Sequence, residues 1–386
     1  MSNDKQAAMN EFPILDPASG IPLFYPEVPR EAIDEVADTL SGRWIGQGPK
    51  VDKFEQLFKN KFLNDHEPLA VGSGTDALHL AYLLAGLKSG DEVIVPVFTC
   101  TATNIPLLYI GAKPVFVDID PETLNICATD IRRKITPLTK AIVTVDYGGI
   151  CCAYDEIRAI AKEYNIPIIQ DAAHSIGSTY SGMSVGSFSD FTIFSFQAIK
   201  TLTTGDGGLL AIRDHSLCSL AKKIRWFGID REKKQGGIWE NDIIDIGYKY
   251  QMTDIAASIG LISLNQIDKT IEHRKQLYAR YVARLMHFNG LRVVNSYDER
   301  ENEFCPWLLT VIVESDRIKL MKKLRDAGIE SSQVHYRNDR YKIFGERRKD
   351  LPQMDLLEDR YLVLPLHTKM TVNDVDKICD VILAGW

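Results

Sequence analysis

Short apolar runs alternate with amphipathic stretches between residues 68 and 213. Several of the runs are apolar on both faces, which is typical of parallel strands covered by helices on both sides. Strands are predicted at residues 69–71, 92–96, 113–117, 141–146, 166–170, 191–196 and 208–212, and helices at 76–85, 102–110, 128–134 and 154–164. The pattern indicates an α/β domain with a mostly parallel central sheet.

The pattern changes after residue 253, where apolar positions recur at three- and four-residue spacing. Further helices are predicted at residues 254–265, 271–284, 317–327 and 372–383, with strands at 308–313 and 329–335. The charged, weakly periodic stretch 339–355 is interpreted as a surface loop region. We therefore expect an N-terminal segment and large domain over residues 1–265, followed by a smaller C-terminal α+β domain over residues 266–386.

Composition and charge disfavour several classes of protein. The 386 residues are 45% hydrophobic and 25% charged, as in ordinary folded proteins, and the formal net charge of -7 argues against a nucleic-acid partner. No apolar run approaches the roughly 18 residues of a membrane helix, and residues 1–5 do not resemble a secretory signal. The seven cysteines have neither disulfide nor zinc-ligand spacing. We expect a cytoplasmic protein that does not contact a membrane and has no metal site.

The first candidate for chemistry is Asp171, which follows the apolar run 166–170 and begins the sequence Asp171-Ala172-Ala173-His174. A carboxylate at the carboxyl end of a buried parallel strand lies in the crevice where α/β folds bind ligands. Beside a pyridine nitrogen, an ionised carboxylate would keep that nitrogen protonated. Taken alone, Asp171 is explained equally well as a cap of the following turn.

The second candidate is Lys200, which follows the predicted strand 191–196 in a polar turn that ends at Gly207-Gly208. In a closed site, burial and nearby cations lower the pKa of a lysine, so that its free amine can attack a carbonyl. Ser195, on the same predicted strand, is a candidate phosphate donor. Taken alone, Lys200 would be interpreted as a surface lysine and the glycines as a hairpin.

The third candidate is the sequence Gly72-Ser73-Gly74-Thr75-Asp76, which joins a predicted strand to a predicted helix. Free amides at such a helix N-terminus, with the two hydroxyls, can hold a phosphate. The spacing matches neither a Walker A loop nor a dinucleotide fingerprint, and an ordinary capped helix start explains it equally well. Together, however, this turn, Asp171 and Lys200 supply the three anchors that pyridoxal 5'-phosphate (PLP) needs.

These motifs resemble the DegT/DnrJ/StrS family of sugar aminotransferases, and the resemblance covers nearly the whole chain. It is strongest over residues 171–208. Further matching residues are 42–49, 73–78, 90–93, 114–120, 251–257, the pair His335-Tyr336 and 364–366. The resemblance implies the type I fold of aspartate aminotransferase, PLP as the cofactor, and a homodimer whose sites are shared between subunits.

The resemblance also implies a role for each matching residue. Lys200 would carry PLP as a Schiff base and move protons, Asp171 would pair with the pyridine nitrogen, and His174 would bond the phenolic oxygen. The phosphate would be held by a set of small polar residues, namely Gly74, Thr75, the amide of Asp76, and Ser195. His335 and Tyr336 would lie near the sugar.

Two positions depart from the family pattern. Lys249 stands where the family usually has an Asn that completes the phosphate site of the partner subunit, and a lysine could serve there as a point charge. Cys100 stands where many members have an aromatic residue that stacks on the PLP ring. Phe98 could substitute for it, and the stacking residue stays unassigned.

The resemblance implies transfer of an amine, with glutamate as donor, to a nucleotide-linked keto-deoxysugar. A keto-cyclitol is the alternative acceptor. The related sugar 3-dehydratases are disfavoured because they carry histidine in place of the Schiff-base lysine. A non-catalytic PLP-binding regulatory protein, or a protein that binds another phosphorylated ligand, are the alternatives from other classes. His79, Trp226-Phe227 and Trp307 are interpreted as packing residues.

Overall fold

A computed structural model of the chain describes residue 15 and residues 20–231, 243, 245–294 and 303–386. The predicted absence of a secretory signal concerns residues 1–5, which lie outside this part. The helices are α1 (Glu31–Ser41), α2 (Pro49–Phe62), α3 (Gly74–Leu84), α4 (Thr101–Tyr109), α5 (Ala128–Lys134), α6 (Tyr154–Tyr164), α7 (Cys218–Ile224), α8 (Asp254–Leu285), α9 (Arg317–Asp326), α10 (Pro352–Leu357) and α11 (Val372–Leu383). The strands are β1 (Glu67–Val71), β2 (Glu92–Pro96), β3 (Lys113–Val117), β4 (Thr139–Val145), β5 (Ile168–Asp171), β6 (Thr179–Tyr180), β7 (Met183–Ser184), β8 (Phe191–Ser195), β9 (Gly208–Ile212), β10 (Leu291–Val293), β11 (Leu309–Val313) and β12 (Tyr361–Leu364).

The central sheet has seven strands in the order β1-β9-β8-β5-β4-β2-β3. The run from β8 to β3 pairs in parallel throughout, whereas β9 pairs antiparallel with both β8 and β1. All strands of this sheet except β9 therefore point the same way. Their carboxyl ends meet along one edge, and the predicted α/β fold with a mostly parallel sheet is confirmed.

Successive residues of the central strands belong to two separate hydrophobic cores, one on each face of the sheet. Val93 and Val95 of β2 lie in one core, whereas Ile94 lies in the other. Phe54 and Phe58 of α2 pack in the same core as Ile94. Because both faces are shielded from water, the strands read as continuous apolar runs in the sequence.

The longest helix, α8, spans 32 residues where the sequence predicted two separate helices. That prediction was wrong because Ile267, which is 1% exposed, continues the buried face, and residues 266–270 contain neither Gly nor Pro. Leu261 in its first half packs in a core of the central sheet, and Tyr281 in its second half packs in a third core. The expected domain boundary between residues 265 and 266 falls inside α8, and the division into domains stays a prediction.

The third core lies against a second, antiparallel sheet of order β10-β11-β12, with α9 and α11 contributing to the same core. The strand predicted at 329–335 was wrong, since Ile329 and Ser332 form only isolated bridges. The predicted surface loop at 339–355 was also wrong in part, because an ion pair with Arg337 buries Asp339 to 2% exposure. The other predicted elements begin and end within two residues of the structure. Of the helices described, none has both the length and the apolar character that a membrane crossing requires.

Candidate active site

The predicted phosphate residues come together where β1 and β8 end. Ser73 follows β1, and Ser195 is the last residue of β8. Gly74 lies so close that a Cβ on it would be 3.0 Å from the Cβ of Ser195. The absence of a side chain at Gly74 therefore lets the turn and Ser195 approach each other from the two strands.

Ser73 caps α3, and its Oγ accepts a hydrogen bond from the Asp76 amide at 3.1 Å. The Asp76 amide, predicted as a phosphate ligand, is thus engaged in the cap, while the Ser73 hydroxyl proton stays available as a donor. Burial raises the pKa of the Asp76 carboxyl to about 6. The hydrogen bonds with Ser73 act to lower this pKa, and the charge of Asp206 acts to raise it further. Protonation of Asp76 would reduce the repulsion that a bound phosphate meets.

Asp171 is the last residue of β5 and is 5% exposed. Its Oδ2 accepts a hydrogen bond from the Thr103 hydroxyl at 2.8 Å, and its Oδ1 accepts one from the Ala173 amide at 3.1 Å. Burial raises the pKa of Asp171, whereas these two donors and the charge of Lys200 act to lower it. The two hydrogen bonds and the charge of Lys200 therefore stabilise the ionised carboxylate without outweighing the effect of burial. A further cationic partner would stabilise it more.

Lys200 lies in the turn between β8 and β9, with its Nζ 3.7 Å from the centre of the Trp307 ring. Burial lowers the pKa of Lys200 to about 8, although the nearby Cys100 and the charge of Asp171 act in the opposite direction. At pH 7 such an amine is neutral in about one tenth of the molecules. Lys200 can therefore act both as a nucleophile and as an acid or base near neutral pH.

Trp307 forms one wall around the Lys200 amine. It is 1% exposed, its Nε1 donates a hydrogen bond to the Ile199 carbonyl at 3.1 Å, and its ring stacks on His174 at 3.9 Å. The packing interpretation of Trp307 was incomplete, because the residue is buried against the reactive lysine. The sequence offered only a tryptophan ahead of an apolar run, a signal that core residues share.

The imidazoles of His174 and His335 lie nearly parallel, with ring centres 5.5 Å apart. Burial, followed by the charge of Lys200, lowers the pKa of both, and that of His335 falls to about 3. His174 Nδ1 accepts a hydrogen bond from the Gly148 amide at 3.3 Å, so the neutral ring carries its proton on Nε2. The Nε2 of His335 is buried and has no hydrogen-bond partner among the described residues. An unpaired buried nitrogen of this kind calls for a ligand.

Tyr336 follows His335 and is half-buried. The guanidinium of Arg340 lies 4.4 Å from the centre of its ring, within the range of a cation–π contact. An aromatic ring and a cation are thus paired immediately beyond His335.

Lys249 is exposed and contacts an aromatic pair, with its Nζ 6.0 Å from the centre of the Trp226 ring and 5.5 Å from that of Phe227. Its backbone nevertheless runs beside the phosphate turn, because the Gly72 amide donates to the Tyr250 carbonyl at 2.7 Å. The structure therefore places the Lys249 side chain on the aromatic pair rather than with Ser73 and Ser195 of the same chain.

The two candidates for ring stacking have different surroundings. Cys100 is half-buried at the start of α4 and lies close enough to Lys200 to act on its pKa. Phe98 is 1% exposed and packs on Tyr147 and Tyr361, with ring centres 4.8 and 4.9 Å away. Phe98 therefore belongs to the core as well as to the loop after β2.

The residues at this edge fit PLP. Asp171 offers a supported carboxylate for the ring nitrogen, and Lys200 offers an amine of lowered pKa for the aldehyde. The capped start of α3 lies against Ser195, where a phosphate could be held. The unpaired Nε2 of His335 leaves a polar atom for a substrate.

Comparison with known proteins agrees with this geometry. Residues 26–383 match the DegT/DnrJ/EryC1/StrS aminotransferase family. The spore coat polysaccharide biosynthesis protein SpsC of Bacillus subtilis is 33% identical over 374 residues, which cover 94% of this chain and 96% of SpsC. An uncharacterized protein of Methanocaldococcus jannaschii is 36% identical over 368 residues, covering 92% of this chain and 95% of that protein.

Two solved structures have the same fold. The sugar aminotransferase CalS13 of Micromonospora echinospora superposes with a TM-score of 0.89 at 30% identity, covering 95% of this chain and 100% of that one. The PLP-form of Spr1654 of Streptococcus pneumoniae superposes with a TM-score of 0.88 at 30% identity, covering 95% and 98%.

The chain belongs to the DegT/DnrJ/EryC1/StrS aminotransferase family. It is a PLP-dependent aminotransferase of a family of sugar aminotransferases, with the type I fold. The alternatives of a non-catalytic regulatory protein and of a protein for another phosphorylated ligand are thereby set aside.

The lowered pKa of His335 predicts a loss of stability in acid. The folded state resists protonation down to a pKa of about 3, whereas the unfolded chain takes up the proton near the ordinary value, so acid favours unfolding. We expect His335→Gln to reduce the fall in unfolding free energy between pH 7 and pH 4.5 by about 2 kcal/mol. Urea denaturation at fixed protein concentration measures this. An unchanged pH dependence in the variant would show that His335 is not held neutral by the fold.

Proposed function

We propose that this aminotransferase moves an amine from glutamate to a nucleotide-linked keto-deoxysugar in the cytoplasm. The observation that carries the proposal is the grouping of the Lys200 amine, the Asp171 carboxylate and the turn of Ser73 at one edge of the sheet. The sugar aminotransferase CalS13 and the polysaccharide biosynthesis protein SpsC support a sugar as the acceptor. The family resemblance motivates glutamate, and the free state of the seven cysteines supports the cytoplasm.

Three residues would hold the reactive part of the cofactor. Lys200 would bond to its aldehyde carbon through Nζ, and Asp171 would face the pyridine nitrogen. His174 would donate its Nε2 proton to the phenolic oxygen, because its Nδ1 is already occupied by the Gly148 amide. The phosphate would be held by the group around the start of α3, namely Gly74, Thr75 and Ser195, together with the Asp76 amide, which would exchange its bond to Ser73 Oγ for one to the phosphate.

When bound, PLP delocalises the electron pair that remains on the substrate carbon after its proton is removed. Lys200 would take that proton on Nζ and return it to a neighbouring carbon in each half-reaction, which a pKa of about 8 permits in both directions. Asp171 would stabilise the positive ring nitrogen throughout. Trp307, stacked on His174, would exclude water from the side where Lys200 rests.

The sugar nucleotide would be received by the segment that begins at His335. The unpaired Nε2 of His335 suits a hydroxyl or carbonyl group of the sugar. Beyond it, the Arg340 guanidinium beside the Tyr336 ring provides a cation for a diphosphate and a face for a base or sugar ring. A keto-cyclitol without a nucleotide would bring no diphosphate to this cation and aromatic ring, so we propose the nucleotide-linked substrate.

Lys200 is tested through the colour of the bound cofactor. We expect Lys200→Ala to lack the visible absorbance of lysine-linked PLP and to lose both half-reactions. Lys140→Ala, a change of an exposed lysine, serves as the control. In the wild type, the rate at which apoenzyme captures PLP should rise with pH and reach half of its maximum near pH 8, because the neutral amine reacts. Stopped-flow absorbance measures the rate, and a half-maximum near the ordinary lysine pKa would contradict the assignment.

The substrate class is tested one half-reaction at a time. Enzyme loaded with pyridoxamine phosphate should regain its visible colour when offered nucleotide-linked keto-sugars, whereas keto-cyclitols should leave it unchanged. The PLP form should lose its colour with glutamate faster than with alanine. Absorbance after mixing reports each step. Recovery of colour with keto-cyclitols alone would overturn the proposed acceptor, and indifference to glutamate would overturn the donor.

We also propose a homodimer in which Lys249 binds the phosphate in the site of the partner subunit. Three observations support this arrangement. The Lys249 side chain is exposed and points to Trp226 and Phe227 rather than to the phosphate turn of its own chain. Large apolar side chains are exposed nearby and on α1, with Phe227 at 43% and Ile33 at 60%. The family resemblance expects a contribution from the partner at this position.

A shared site predicts complementation between two inactive variants. Lys200→Ala and Lys249→Ala would be expressed together, each with its own affinity tag. In a mixed dimer, the Lys249→Ala subunit keeps its own Lys200 and receives Lys249 from the other subunit, so one of the two sites is intact. Random mixing should restore about one quarter of the wild-type activity. No recovery in purified mixed dimers would show that Lys249 does not act across the interface.

A further inference from the structure

A row of buried hydroxyl groups leads to the carboxylate of Asp171. Thr103, on the first turn of α4, is fully buried and donates its hydroxyl to Asp171 Oδ2 at 2.8 Å. Thr99, which is 1% exposed, lies behind it, with the two hydroxyl oxygens 2.9 Å apart. Neither hydroxyl was singled out by the sequence analysis.

The direction of this row depends on the charge of Asp171. A threonine hydroxyl has one proton, and an ionised carboxylate can only accept. Thr103 must therefore give its proton to Asp171, and Thr99 must give its own to Thr103. An ionised Asp171 therefore receives a hydrogen bond from this row, whereas a protonated Asp171 would have to donate to Thr103 and would reverse the direction of the row. Two other titratable groups lie in this region: the charge of Lys200 lowers the pKa of Asp171, and burial, followed by the charge of Asp171, raises the pKa of the Tyr82 phenol.

The far end of the row is fixed by the segment that carries His335 and Tyr336. Asn338, which is fully buried, donates its Nδ2 to the Thr99 carbonyl at 2.7 Å. Its Oδ1 accepts from Asn104 of α4 at 2.9 Å. The Thr103 carbonyl is held in turn by the Tyr82 hydroxyl at 2.6 Å. Thr103 therefore has a fixed backbone, a fixed hydroxyl direction and no room to turn away from Asp171.

We propose that Thr103 is a positioning residue, whose hydroxyl keeps Asp171 ionised and turned toward the pyridine nitrogen of PLP. The inference rests on the proposed pairing of Asp171 with that nitrogen. The Thr103 hydroxyl contacts Asp171 and Thr99, and it would touch neither substrate nor cofactor. The Thr103 hydroxyl would affect the cofactor only through the Asp171 carboxylate. Its effect on cofactor binding should therefore vanish when the cofactor ring has no nitrogen for Asp171 to bind.

The test compares PLP with its 1-deaza analogue, in which carbon replaces the ring nitrogen. Thr103→Val removes the hydroxyl and preserves the shape of the side chain. We expect it to weaken the binding of PLP to the apoenzyme about tenfold, because Asp171 without this hydrogen bond is protonated more readily and is less available to the ring nitrogen. The affinity for the analogue should not fall. Equilibrium dialysis measures both dissociation constants without recourse to turnover.

Two matched variants distinguish a positioning role of the Thr103 hydroxyl from a general effect of the substitution on folding. Thr103→Ser keeps the hydroxyl and should retain the affinity of the wild type for PLP. Thr144→Val makes the same change at another fully buried threonine, whose hydroxyl lies 3.1 Å from that of Tyr154 and not against Asp171, and it should leave both ligands unaffected. An equal loss of affinity for PLP and the analogue in Thr103→Val would mean a structural role, and that outcome or no loss at all would overturn the inference.

Asp171→Asn shows which premise fails if the expected result does not appear. Loss of the preference for PLP over the analogue in Asp171→Asn, without such a loss in Thr103→Val, would reject Thr103 alone. An unchanged preference in Asp171→Asn would reject the pairing of Asp171 with the ring nitrogen, and the role of Thr103 with it. The 15N chemical shift of labelled PLP in each holoenzyme reports ring protonation independently.

Discussion

A buried carboxylate at the end of β5 sets the conditions that the rest of the site has to meet. Asp171 is 5% exposed, and an ionised group in such a place is costly unless donors and cations surround it. The Thr103 hydroxyl and the Ala173 amide supply the donors, and Lys200 supplies a charge. These groups come from three separate elements. They can meet only because parallel strands bring their carboxyl ends to one edge.

A second buried charge, that of Arg337, stabilises the segment that contains His335, Tyr336 and Asn338. Arg337 is fully buried and pairs with Asp339 through two hydrogen bonds of 2.6 and 2.7 Å. Leaving one partner of such a pair alone in the interior costs about 3–5 kcal/mol, so the segment around it has one stable arrangement. His335, Tyr336 and Asn338 are its close neighbours in the chain. The ion pair therefore stabilises the segment that is proposed to receive the substrate, and the Asn338 amide, which donates to the Val97 carbonyl at 2.7 Å, holds that segment against the loop after β2.

The sequence predicted the central sheet better than it predicted the residues that surround Asp171 and Lys200. Strands buried on both faces give long apolar runs, so β2 and β3 were predicted at their observed bounds, and Asp171 and Lys200 could be read from their places after strands. Trp307 and Thr103 could not, because each contacts a partner far away in the chain, and Arg337 could not, because the sequence does not show that it is buried. A buried tryptophan, threonine or arginine has the same sequence signal whether its partner is a core residue or a functional one. The roles themselves rest on the family resemblance.

The surroundings of Lys200 show why an aminotransferase site cannot be optimised for one charge state. The Trp307 ring, at 3.7 Å, favours the ammonium form, as do the nearby Cys100 and the charge of Asp171, whereas burial favours the neutral amine. Burial prevails, but only as far as a pKa of about 8. A drier pocket would leave a strong nucleophile that cannot return a proton. A more polar pocket would leave an ammonium that cannot take one. Trp307 stacks on His174 and also presents a π face to the Lys200 amine, and in the proposed mechanism this balance would let one amine serve both directions of proton transfer.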